Sequence, residues 1–292
     1  MVRRQMVAGV VERTALMQVS SSLPTRSLRP LGASDMFAAA WQLYRQNFVP
    51  LVAIVAIVQV IVAVLLALVG ISTASTAANP TGGHIVVSAI VGLLTFVFTI
   101  LATFVQSGAL TLAIGDDYIG QPITVERAYS ATIARLGALI GTSLLVGLLL
   151  LLMAITVIGI PFAIWLGIRW AFIAQVVMLE NLGGASAMSR SSQLVAGSWW
   201  RTFGILILLV IVVAIVSAVT SAVFVGIFGS GLLAGIARLI IQILLAPFYS
   251  AVVTLLYFDL RVRKEQFTHT MLASDLGGRS PTFGDVRETP SL

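Results

Sequence analysis

Of the 292 residues, 59% are hydrophobic and only 10% charged, with a formal net charge of +6 and no cysteine. An ordinary soluble domain is roughly 25% charged, and here the apolar residues come in long unbroken runs, so the chain reads as an integral membrane protein. The missing cysteines exclude a disulfide framework and thiolate chemistry, and basic residues scattered between hydrophobic runs argue against nucleic acid as a partner.

Residues 1–29 carry Arg3, Arg4, Arg13, Arg26 and Arg29 with a serine patch at Ser20 to Ser22. Glu12 and Arg13 interrupt the early apolar residues, unlike the core of a cleavable signal peptide, and the expectation is a disordered cytoplasmic tail. Arg29-Pro30-Leu31-Gly32 breaks the chain, and Ser34 offers a cap to a helix with Met36, Phe37, Ala40, Leu43 and Tyr44 on one face. That pattern predicts a short amphipathic helix in the membrane plane. Crossing one follows at about 48–71, since about 20 apolar residues span a bilayer.

Ser72 to Gly83, polar and uncharged, reads as an outer loop, with His84 beside it as a solvated side chain. Crossing two, about 85–114, ends at Gly115-Asp116-Asp117, taken as a solvated inner turn because two aspartates lack the further ligands a metal needs. Pro122 to Arg135 predicts a second in-plane helix capped by Thr124. Crossing three, about 136–158, carries Gly137 and Gly141 as a small-residue packing face.

Gly159-Ile160-Pro161 then turns tightly into crossing four, about 161–179, with Arg169 near its middle and Glu180 at its inner end. Gly183-Gly184 and a capping Ser186 introduce a third in-plane helix, whose Arg190 is close enough in sequence to pair with Glu180. Trp199 and Trp200 mark the interface before Arg201. Crossings five and six occupy about 203–228 and 237–258, the last with Arg238 at its outer rim and a kink at Pro247. Residues 266–292, with few apolar side chains, are expected to form a disordered cytoplasmic tail.

The fold expected is therefore an all-α integral membrane protein, with six transmembrane helices and three short in-plane amphipathic helices on the cytoplasmic side. With both termini inside, fifteen of the seventeen Lys and Arg residues are cytoplasmic, as the positive-inside bias requires. The plasma membrane is the expected location. A weak threefold pattern of short helix and paired crossings also runs through the chain, each in-plane helix closing at Arg45, Arg135 or Arg201.

An arginine at mid-bilayer costs about 2.5–3.5 kcal/mol on insertion scales, so Arg169 needs a partner. Glu180 is some 16 Å further along the same helix, whereas Gln59, Gln106, Gln175 and Gln242 lie in neighbouring crossings and are expected to satisfy the guanidinium. Arg169, Glu180, Arg190 and Arg201 form the expected working surface, around which the other helices are arranged. The readings of Arg169 are a packing anchor, a site for an anionic headgroup or substrate, and an arginine that snorkels to the interface because helix four is shorter than 161–179.

Arg169-Trp170, Glu180, Gly183, Ala187, Arg190-Ser191, Leu194, Gly197 and Trp200-Arg201 form one set of short motifs. Together with the entry Arg29-Pro30-Leu31-Gly32 and the exit Tyr257-Phe258-Asp259-Leu260-Arg261, this set resembles the bacterial glycerophosphoryl diester phosphodiesterase membrane domain family over about residues 28–265. Some members of that family carry a catalytic barrel beside the membrane domain. The chain has only His84 and His269 as histidines and 27 residues after Glu265, against about 250 for a barrel, so the enzymatic name does not transfer.

The resemblance and the residues together point to a non-catalytic module that binds or organises membrane lipids or scaffolds a protein partner at its cytoplasmic face. No cofactor or metal is expected. A transporter or permease subunit for a lipid or small amphiphile is the alternative, discriminated by a polar cavity open to one side. An intramembrane phosphodiesterase-related enzyme has the least support, because the crossings hold no acid or histidine at depth.

Overall fold

The computed structural model describes residues 30–78, 82–229 and 231–276, so the tail expected over 1–29 lies outside the described residues. Every regular element is helical: α1 Ala33–Gln46, α2 Phe48–Ala78, α3 Gly82–Tyr118, α4 Val125–Ala134, α5 Leu136–Ala154, α6 Gly159–Arg169, α7 Ile173–Glu180, α8 Gly184–Val195, α9 Trp199–Phe228, α10 Leu232–Glu265 and α11 His269–Asp275. Six segments are long and apolar enough to cross a membrane, the fourth only when α6 and α7 are taken together as Gly159–Glu180. The chain is an all-α multi-pass membrane protein.

The core is built on the C-terminal half of α10. From Ser250 to Arg261 every residue is buried, on all faces of the helix, as befits a helix surrounded by others rather than one with a single apolar stripe. Met36, Ala40, Leu43 and Tyr44 of α1 pack into this core, with Ala128 of α4 and Ala187, Leu194 and Val195 of α8. The three amphipathic helices thus gather at one end of the bundle, together with most of the described charges. Large apolar side chains elsewhere on the spans are exposed, from Ile85 to Phe98 on α3 and from Ile207 to Phe228 on α9. Such a surface is what a membrane covers.

Several sequence expectations change. Ser72 to Ala78 and His84, expected in a loop, are helical, because the chain meets no breaker before Asn79-Pro80. Gly115-Asp116-Asp117 is not a solvated turn: α3 continues to Tyr118, and Asp116, 3% exposed, is held by Arg127 at 3.0 Å. Ser34 and Ser186 cap nothing, since Gly32 and Gly183 occupy the N-cap positions. Thr124 does stand at the N-cap of α4, though its hydroxyl makes no capping bond.

Gly137 and Gly141 face open space, whereas a Cβ on Gly108 would stand 2.8 Å from Thr132 and 3.2 Å from Met178, so the close helix approach is at Gly108. The C-terminal segment also differs from its expected disorder. Residues 266–276 turn at Gln266 and form α11, with Phe267 and Leu272 buried; the rest of that segment lies outside the described residues.

Candidate functional site

Crossing four is not one helix. It breaks at Trp170 to Phe172, between α6 and α7, and the break is pinned to α8. The Ser191 hydroxyl donates to the Arg169 carbonyl at 2.8 Å and accepts from the Phe172 amide at 3.3 Å. One residue before Ser191, Arg190 bonds Glu265 at the end of α10. One turn before Arg169, the Trp165 carbonyl accepts from the Trp199 indole at 3.1 Å, next to Arg201.

Arg169 is therefore the last residue of α6, at the break in crossing four. Its guanidinium stacks over Trp165, 4.6 Å from the ring centroid, a contact favoured by the ring's negative face. Among the described residues no carboxylate pairs with it.

The four glutamines expected around Arg169 do converge, but on a cavity that excludes it. Gln59, Gln106, Gln175 and Gln242 line a space of about 490 Å³ between α2, α3, α7, α9 and α10. Thr103, Ser107, Ser217, Tyr249 and Ser250 add hydroxyls to its wall, and no charged side chain reaches it. Gln59 Nε2 donates to Gln106 Oε1 at 3.1 Å. Gln175 is 3% exposed, and its Oε1 has no hydrogen-bond partner among the described residues. An unsatisfied buried acceptor costs about 1–3 kcal/mol.

The depth of this cavity follows from helix geometry. Asn47 Nδ2 donates to Asp117 Oδ1 at 2.8 Å, tying the start of α2 to the end of α3. Gln59 and Gln106 are eleven or twelve residues away from that contact on their helices, a rise of about 16–18 Å. That rise is about half the thickness of a hydrocarbon core.

The charged end is a network of ion pairs centred on Glu180, at the end of α7. Its carboxylate accepts from Arg190 Nε at 2.6 Å and from the Tyr257 hydroxyl at 2.6 Å. Arg190 also forks onto both oxygens of Glu265, one contact at 2.8 Å. The Glu265 carboxylate, ahead of Glu180, holds this guanidinium above its ordinary pKa against the opposing effect of burial. Arg261 reaches Glu265 at 3.2 Å and Asp275 of α11 at 2.7 Å, and lies 3.7 Å over the Phe267 ring.

A second group surrounds the buried Asp259, which pairs with Arg201 at 2.8 Å and Arg263 at 2.9 Å and accepts from the Leu31 amide at 2.8 Å. Arg201 and Arg263 both donate to the Leu31 carbonyl, at 2.6 and 3.0 Å. Leu31, in the segment that leads into α1, is thereby clamped to the C-terminal end of α10.

The structure brings together Glu180 and Arg190 as the sequence suggested, and brings the four glutamines together around a different centre. Sequence reasoning missed Tyr257, Asp259, Arg261, Glu265 and Asp275 as partners. The signal was present in part: Tyr257, Arg261 and Glu265, and Asp259 and Arg263, repeat at i,i+4 and so form two ladders on α10. It also missed the hydroxyls of the cavity, although Thr103, Gln106 and Ser107 share one face of α3. Compared with family models, curated proteins and solved structures, the chain matches none of them.

Proposed function

We propose that this chain is a non-catalytic membrane module that binds an amphiphilic lipid or lipid-like molecule from within the bilayer. The observation that carries the reading is the glutamine-lined cavity near mid-membrane, with the Gln175 carboxamide buried and incompletely bonded. Polar side chains at that depth are costly unless they serve packing or a ligand, and four carboxamides around an open volume serve packing poorly. Pockets of about 300–1,000 Å³ are the usual size for small ligands.

In this reading the charged end faces the cytoplasm of a bacterial plasma membrane, since the opposite orientation would place fifteen Lys and Arg residues outside, against the positive-inside bias. Its ion-pair network is scaffolding that fixes α7, and with it Gln175. The exposed side of that end is the surface offered to a protein partner. The motif resemblance to the glycerophosphoryl diester phosphodiesterase membrane domain supports a lipid-related role without a catalytic one.

Native mass spectrometry of the gently purified chain tests this. Wild type is expected to retain a bound lipid species that a Gln106→Leu/Gln175→Leu double variant loses while keeping its melting temperature. Wild type free of any retained amphiphile would contradict the reading. Transport is the second reading, favoured by one observation: α9 supplies one wall of the cavity, and its packing within the bundle is chiefly on α10. Flux of a lipid across reconstituted vesicles, abolished by the same variant, would select it.

A further inference from the structure

We infer that the cavity takes an uncharged, hydroxyl- or amide-bearing lipid head, such as that of a diacylglycerol, and rejects phosphate-bearing headgroups. This deepens the reading above and rests on it. The argument is one of hydrogen-bond inventory and charge.

Each glutamine carboxamide offers two N–H donors and a carbonyl acceptor, and each Ser, Thr and Tyr hydroxyl both donates and accepts. The Gln59–Gln106 bond uses one donor and one acceptor of the two groups. The Gln175 Oε1 acceptor is unused among the described residues, and turning this carboxamide about its last torsion exchanges its two ends. A ligand with a donor and an acceptor on adjacent atoms, as on a glycerol hydroxyl beside an ester carbonyl, answers that inventory.

Charge decides against the alternatives. No Arg, Lys, Asp or Glu lines the cavity. The nearest charge along α3 is Asp116, about 15 Å from Gln106 along the helix, and it is already held by Arg127. A phosphate placed among these carboxamides would lose its hydration and meet no counter-ion among the lining residues, Arg169 being stacked on Trp165 instead, a penalty that hydrogen bonds alone repay poorly. A neutral head loses far less on leaving the interface.

The route of entry agrees with a lipid. Thr103, Gln242 and Tyr249 line the cavity and are also exposed, and each lies within a membrane-spanning helix. The mouth is thus on the lipid-facing flank of the bundle. Leu110, Val213, Leu245 and Val253 supply the apolar part of the wall, against which the first carbons of an acyl chain pack.

The test uses the full chain in nanodiscs with two photoreactive probes carrying the same diazirine acyl chain, a diacylglycerol and a phosphatidylglycerol, and maps adducts by peptide mass spectrometry. Labelling of the α3, α7 and α10 peptides by the diacylglycerol, about tenfold above the phosphatidylglycerol, is the expected result; about tenfold corresponds to roughly one net hydrogen bond. The Gln175→Leu variant should lose that preference while its melting temperature is unchanged or raised, because leucine removes an unsatisfied acceptor. Equal or stronger labelling of those peptides by the phosphatidylglycerol would overturn the neutral-head assignment and leave amphiphile binding standing. Labelling of those peptides by neither probe would overturn both.

Discussion

Replacing Arg190 by alanine removes the side chain through which α8 ties Glu180 at the end of α7 to Glu265 at the end of α10. The substitution leaves Glu180, with 11% of its side chain exposed, and Glu265, with 25%, with Arg261 alone as a shared cation, 3.9 Å from Glu180 and 3.2 Å from Glu265. Breaking a fully buried pair costs about 3–5 kcal/mol; the exposure here reduces that to about 2–4 kcal/mol. For a chain of this size the corresponding drop in melting temperature is roughly 5–15 °C.

Tryptophan fluorescence during heating in mild detergent reads the change directly, because Trp199 and Trp200 lie beside α8. The Arg190→Lys variant should recover only part of the loss, since an ammonium does not fork onto a carboxylate. The bond network raises the Arg190 pKa above an already high value. Its contribution is therefore present from neutral pH up to the unfolded arginine pKa, and it is lost in acid, where Glu180 and Glu265 protonate. A melting temperature for Arg190→Ala within about 1 °C of wild type would refute the assignment of this network as the scaffold of α7.

Other consequences are independent of that one. In Gly159→Ala the new Cβ would lie 1.9 Å from the Met153 carbonyl oxygen, so the α5–α6 turn must open and the yield of folded protein should fall. Gly147→Ala, with nothing within 4 Å, should instead be neutral or gain about 0.5–1 kcal/mol, read as thermal stability in the same preparation. The Arg169→Gln variant should shift the melting temperature by no more than about 2 °C, because it loses a single stacking contact and no ion pair. Burial pushes the Tyr129 phenol up to about 12, and its hydroxyl donates to the Ile54 carbonyl. Stability from this group is complete below pH 10 and lost as the pH rises toward 12, so alkaline melting should be shallower in Tyr129→Phe than in wild type.

Much of this architecture was legible in the sequence, for identifiable reasons. Charge-free runs from Gln46 to Gly115 and from Thr202 to Ala237 leave a chain in lipid no choice but helix, since every backbone group must be bonded internally. The amphipathic face of α1 was equally plain, and Met36, Ala40, Leu43 and Tyr44 are indeed its buried residues. Hydropathy carries no such information about breaks. Ile168 to Ile173 is apolar apart from Arg169, so nothing local announces that crossing four splits there. The split depends on Ser191, twenty-two residues on, binding the Arg169 carbonyl.

The same blindness moved the site. Arg169 is the conspicuous residue because a lone charge stands out in an apolar run, but the polar side chains that the fold gathers are the glutamines. The glutamines were noticed only as servants of that arginine. Their convergence is a tertiary fact, set by the Asn47–Asp117 contact that aligns α2 with α3 and by the Glu180 network that places α7. The Asn47–Asp117 contact and the bonds from Glu180 and Arg190 to α10 join residues seventy or more apart, so no periodicity reports them. The continuous burial of Ser250 to Arg261 was hidden for a related reason: Asp259 and Arg261 look like a solvated helix end until Arg201, Arg263 and Asp275 are found around them.

The central claim, that the glutamine-lined cavity holds a lipid, is tested most directly by a cryo-electron microscopy map of the full chain in a nanodisc of native lipids, with an antibody fragment added for alignment. The account predicts elongated density inside the cavity, with its polar end within hydrogen-bonding distance of Gln175 and its tail leaving past Gln242 and Tyr249 into the bilayer. A map in which the four glutamines close on one another across the space, with no density between them, would contradict it.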